Sequence, residues 1–144
     1  MKRLIFLGFV ILFSRCADHA SDSTCGANNS ALWSEHATTS IQVGNSVCNN
    51  GTGIVFKKVI SDSRCPKDAN CIWAGEIRIQ LQIFSGTDTL VTLELTTRES
   101  AAEVTVDQKT YVIEMTRVEP YPMSQHQIDP KRYIVTLEVT RKDL

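Results

Sequence analysis

From Ile77 to Ile83 the chain alternates strictly. Ile77, Ile79, Leu81 and Ile83 fall on one side, and Arg78, Gln80 and Gln82 on the other. Successive side chains of a strand point to opposite faces, so this pattern demands a sheet with one buried and one wet face. A helix cannot bury such a stripe, because its neighbours lie three and four residues apart. Val91, Leu93 and Leu95 repeat the pattern after the turn signal Ser85-Gly86-Thr87-Asp88, which predicts a hairpin. Tyr111, Ile113 and Met115 make another face, and Tyr133, Val135, Leu137 and Val139 a last one. Shorter strands are expected at 40–43, 53–60 and 103–106. In the second of these Ile54, Phe56 and Val59 change parity, which predicts a β-bulge. About seven strands of this kind predict an all-β fold, a seven-stranded β-sandwich of immunoglobulin-like or related topology. A small barrel is the alternative.

The N-terminus begins Met1-Lys2-Arg3, continues with an apolar run from Leu4 to Phe13, and reaches Ser14-Arg15-Cys16. A basic start, a short apolar stretch and a polar exit read as a signal peptide over residues 1–15. The run is shorter than the roughly 20 residues a spanning helix needs. Cys16 directly after it is the expected lipidation site, although Arg15 stands where a lipobox carries a small residue. Ordinary secretion, with cleavage nearby, is the alternative. The chain has five cysteines, and an odd number in an exported protein leaves one to explain. With Cys16 lipidated, Cys25, Cys48, Cys65 and Cys71 remain for two disulfides in an oxidising compartment. Cys65–Cys71 is the first choice, because the intervening loop is short and holds Pro66. Its closure stabilises by roughly 2–2.5 kcal/mol on the chain-entropy model. Cys25–Cys48 follows by elimination.

Residues 16–31 are mostly Ala, Asp, Ser, Thr, Asn and Gly, a composition expected of a flexible tether. Trp33 breaks that pattern and is expected at the edge of a single domain over residues 32–144. Removing residues 1–15 takes away Lys2, Arg3 and Arg15 and no acid, leaving 12 basic against 16 acidic residues and a formal charge of −4. That balance, with no basic run, argues against nucleic acid and against a polybasic membrane face. The membrane is expected as a partner only through the N-terminal lipid. The expected location is the cell envelope, lipid-anchored, or else soluble in the periplasm or outside.

Just before the Ile77 strand stands Asp62-Ser63-Arg64-Cys65-Pro66, four residues, then Cys71-Ile72-Trp73-Ala74-Gly75. Asp62 and Ser63 are turn formers whose side chains bond nearby amides. Either Ile72 or Trp73 is expected to enter the core. Gly75 is expected where another backbone approaches closely, or at a bulge. This motif resembles a family of small bacterial exported proteins and lipoproteins. The likeness extends over roughly residues 41–140. It implies an exported, β-rich domain and brings no catalytic residues.

Chemistry-bearing motifs are sparse. His19, His36 and His126 have no partner at metal-ligand spacing, and no metal or cofactor is expected. Nucleophile elbow, phosphate loop and dinucleotide fingerprint are all missing, so no catalytic residue is assigned. The long segment 120–130 carries Pro120, Pro122 and Pro130, which keep it out of a central strand. Tyr121, Met123 and His126 gather there as candidate contacts with a protein or glycan. The expected role is therefore non-enzymatic binding. The alternative is inhibition of exported serine proteases through the Cys65–Cys71 loop, acting by residues 64–70, whose basic residues are Arg64 and Lys67.

Overall fold

The computed structural model describes residues 25–142. The signal segment 1–15, the lipidation site Cys16 and the first part of the expected tether lie outside the described residues. Nine strands form: β1 (Ala27–Asn28), β2 (His36–Gln42), β3 (Ser46–Asn49), β4 (Thr52–Asp62), β5 (Ile77–Ser85), β6 (Asp88–Thr96), β7 (Ala101–Val106), β8 (Lys109–Glu119) and β9 (Ile134–Arg141). They make two layers, β1-β3-β4-β5-β6 and β2-β9-β8-β7. The fold is thus the expected β-sandwich and not a closed barrel. From β3 to β6, and again from β7 to β9, each strand pairs with the next in sequence, and β2 closes the second sheet on β9. Among the described residues the one helical element is a 3-10 turn at Pro130–Arg132.

The core lies between the layers. Ile77, Ile79, Leu81 and Ile83 face Ile113, Met115, Val135, Leu137 and Val139, all buried. On the opposite face of β5, Arg78 is exposed and Gln80 and Gln82 are half-buried. The bulge expected in residues 53–60 is present: the β4–β5 register shifts at Phe56/Lys58 and again at Val59/Ser61. The Gly86 turn joins β5 and β6 as expected. Strand β6 departs from its sequence pattern. Leu95 is buried, Leu93 only half-buried and Val91 36% exposed. It is the outer strand of its sheet, with a pairing neighbour on one side only, so alternation there does not guarantee cover.

The stretch expected as free tether is docked from Cys25 onward. Cys25 is joined to Cys48 with Cα atoms 5.7 Å apart, and β1 pairs in parallel with β3. Leu32 is fully buried. Trp33 sits at the edge, its ring N–H donating to the Thr52 carbonyl at 2.9 Å. Its ring meets Tyr111 edge-on at 5.2 Å, and the Tyr111 hydroxyl donates back to the Trp33 carbonyl.

A stapled loop braced against a proline-rich loop

The cysteine motif continues the β4–β5 hairpin beyond the sheet. The Ser63 amide donates to the Glu76 carbonyl at 2.8 Å, and the Cys65 amide to the Ala74 carbonyl at 2.9 Å. The Ser63 hydroxyl both accepts from the Glu76 amide and donates to its carbonyl. Gly75 is required here. It has φ +67, and a Cβ on it would lie 1.8 Å from the Ser63 carbonyl oxygen. Beyond these rungs Cys65 and Cys71 close the tip, with Cα atoms 5.9 Å apart.

Arg64 is the side chain that turns inward. It is 7% exposed. Its Nε donates to Oδ1 of Asp62 at 2.8 Å, and Nη2 to Oδ2 at 2.7 Å, a bidentate pair. Nη1 donates to the Val118 carbonyl at 2.7 Å, and Nη2 also to the Pro120 carbonyl at 3.0 Å. The Tyr133 hydroxyl donates to Oδ2 of Asp62 at 3.0 Å. A buried ion pair holds only when such extra bonds satisfy its remaining groups. Burial alone would raise the Asp62 carboxyl, but Arg64 outweighs it through hydrogen bonds and charge and holds the group below its ordinary value. Tyr133 is pushed up to about 12, first by burial and then by its bond to the Asp62 carboxylate.

Sequence reasoning expected Ile72 or Trp73 in the core, and this is corrected. Ile72 is 96% exposed and Trp73 78% exposed. The hairpin rungs at 63–76 and 65–74 carry the tip clear of the sandwich, and Arg64 occupies the space beneath it.

The stapled loop is locked to the segment 120–130. The Lys67 amide donates to the Pro122 carbonyl at 3.0 Å. Oδ1 of Asp68 accepts from both the amide and the hydroxyl of Ser124, at 2.8 and 2.9 Å. Those bonds, the amide first, hold the Asp68 carboxyl below its ordinary value. Tyr121 lies beneath two cations, with Arg64 Cζ 4.6 Å and Lys67 Nζ 5.3 Å from its ring centre.

The residues singled out in the sequence therefore meet. Tyr121, Met123 and His126 line one shallow hollow of about 220 Å³. Tyr121 is half-buried, while Met123 and His126 are exposed. Lys67 lies on the other side, on a larger cleft of about 660 Å³ that Tyr121 shares. The two candidate surfaces, proposed as alternatives, are one platform. Lys67 is exposed, but it is folded over Tyr121 and does not project as a free tip. Sequence reasoning missed two features, the inward turn of Arg64 and the outward turn of Trp73. An arginine two residues before Pro66 and a tryptophan two residues after Cys71 carry no periodic signal.

Compared with known proteins, the chain matches no family model, no curated protein and no solved structure. Among the described residues no group of three or more His, Cys, Asp or Glu could hold a metal ion. No described helix is long and apolar enough to cross a membrane. The two disulfides belong to an oxidising compartment outside the cytoplasm.

Proposed function

We propose that this chain is an exported, envelope-anchored binding protein without catalytic chemistry. Its contact surface is the platform formed by the stapled loop and the segment 120–130. The observation that carries this reading is the exposure of Ile72 and Trp73 on a covalently closed, cross-braced loop. Asp62, Ser63, Arg64 and Asp68 of the same motif are engaged in hydrogen bonds within the protein. Adjacent large apolar side chains held rigidly in water mark an interaction site, and tryptophan is the residue most enriched at binding hot spots. Anchoring is supported by the basic and apolar start, by the position of Cys16, and by the pairing of the four described cysteines with one another.

Two measurements test it. Mass spectrometry of the mature N-terminal peptide should find an acylated Cys16. Capture from envelope extract with the full chain, against Trp73→Ala and Tyr121→Ala, should recover a protein or glycan that the Trp73 variant loses. A captured set identical for the wild type and the Trp73 variant would sink the platform. A soluble mature form starting beyond Cys16 would remove the anchor alone.

A further inference from the structure

Strand β6 forms one edge of the five-stranded sheet. Its register sets Leu95 opposite Ile79, Leu93 opposite Leu81 and Val91 opposite Ile83. Two residues further on, the Thr97 amide donates to the Ile77 carbonyl at 3.2 Å. In an antiparallel pair, residues bonded in this way alternate with residues whose amide and carbonyl point away. Leu95, Leu93 and Val91 therefore bond to β5, and Thr96, Glu94 and Thr92 turn outward. The Thr96 amide is taken by the Glu99 carbonyl at 3.0 Å. Among the described residues nothing bonds the outward amides and carbonyls of Thr92 and Glu94.

Proteins blunt an exposed edge with Lys, Pro or a bulge. From Asp88 to Thr96 there is no Lys, Arg or Pro. The bulge lies at the other end, where the register shifts between Ile83 and Phe84 and leaves Leu90 extra. On the core side the strand is apolar and incompletely covered, with Val91 36% exposed and Leu93 half-buried.

These groups fit a second copy of the same strand. Two antiparallel copies related by a two-fold axis must set outward residues opposite one another. An axis at Glu94 brings two carboxylates face to face, which is destabilising. An axis at Thr92 sets Glu94 against Leu90, in the bulge. An axis at Leu93 sets Thr92 of each copy opposite Glu94 of the other, and every free amide and carbonyl of both residues gains a partner. It also packs Leu93 on Leu93 and Val91 on Leu95 on the core side. Asp88 of each copy is then directed toward Arg98 of the other, both of them exposed.

We propose that two copies of this chain associate by antiparallel pairing of β6 about a two-fold axis at Leu93, so that the five-stranded sheet continues from one copy into the other. A contact confined to one strand edge is small, which makes the dimer weak and dependent on concentration.

Sedimentation of the full chain over a concentration series tests this. The dimer share should rise with concentration, and hydrogen exchange at Thr92 and Glu94 should slow in step. Leu93→Cys tests the register. Facing residues of a non-hydrogen-bonded pair have Cα atoms about 4.5 Å apart, within the span of about 4.4–6.8 Å that a disulfide bridges. Residues on the diagonal, as the two copies of Thr92 are, lie about 7–8 Å apart. Mild oxidation should therefore link Leu93→Cys into dimers and leave Thr92→Cys unlinked. Thr92→Pro removes an amide that points away from β5, so the dimer should be lost while the melting curve stays cooperative. A chain that is monomeric at every concentration overturns the proposal. So does a dimer that survives in folded Thr92→Pro, or one that leaves exchange in β6 unchanged. Equal linking of the two cysteine variants overturns it as well, and that comparison decides if Thr92→Pro does not fold.

Discussion

The Tyr133 hydroxyl donates to the Asp62 carboxylate at 3.0 Å, joining the end of β4 to the residue just before β9 across 71 positions of chain. Through Asp62 that bond reaches Arg64, and through Arg64 the carbonyls of Val118 and Pro120. Four segments meet on one buried charge pair, so the platform stands or falls with it.

Arg64→Ala leaves a buried carboxylate without its counter-charge. Loss of one partner of a buried pair costs about 3–5 kcal/mol. Urea denaturation should show a loss of this size. Lys67→Ala, at an exposed side chain on the same loop, should leave the denaturation midpoint almost unmoved. Equal effects from the two variants would contradict the hub.

The same network sets the pH dependence. The Asp62 carboxyl is held low in the folded state, so its contribution is full above the unfolded value of about 3.9 and is lost as pH falls through the lower folded value. Tyr133 is raised, so its contribution is full below the unfolded value of about 10 and is lost as pH rises through about 12. Asp62→Asn should flatten the acid limb of a melting-temperature profile, and Tyr133→Phe the alkaline limb. An alkaline limb unchanged by Tyr133→Phe would show that this bond is not the source.

Gly75→Ala places a methyl group against the Ser63 carbonyl, in a backbone conformation already costly for alanine. Gly86→Ala has a similar φ of +57 but meets nothing within 4 Å. The first should lower the melting temperature clearly more than the second, whose cost is the backbone term of roughly 1–2 kcal/mol. Calorimetry of the pair separates packing from conformation, and an equal loss would refute the close approach.

Leu81→Ala removes a fully buried side chain from the middle of β5 and should cost roughly 2–5 kcal/mol. Val91→Ala, on the exposed edge strand, should change stability far less. A reversed order in chemical denaturation would mean that the assigned faces are wrong.

The central strands were legible because strict alternation has one physical reading. Ile77 to Ile83 and Tyr133 to Val139 took the faces that parity assigns. The short strand β3 escaped notice, since Ser46–Asn49 buries three of its four residues in a row and shows no alternation. A local signal was nevertheless present. Asn50-Gly51 follows directly, and both residues adopt positive φ, +50 and +79, as a two-residue hairpin turn requires. Asp107 and Gln108 make the corresponding turn between β7 and β8, at φ +49 and +63. The site was half legible. Spacing identified the Cys65–Cys71 ring, Asp62 and Ser63 beside it were recognised as turn formers, and Gly75 as a place of close backbone approach or a bulge. Which of Arg64 and Trp73 turns inward depends on carbonyls 54 and 56 residues away, at Val118 and Pro120, and no local pattern encodes that.

The two disulfides sit at opposite ends of β4. Cys48 pairs in register with Gly53 at the start of that strand, and the stapled loop leaves from Asp62 at its end. At about 3.3 Å per residue the two are separated by roughly 30 Å. The bridge from Cys25 to Cys48 also bypasses residues 26–47. A pull between the N-terminal attachment and a gripped partner would therefore travel along one tight turn and one strand that is already extended. Tension on that route has no slack to draw out, and the Cys25–Cys48 bridge keeps β2 off it. With the anchor and the binding platform proposed above, the two points of contact could be tugged apart without first drawing out β2.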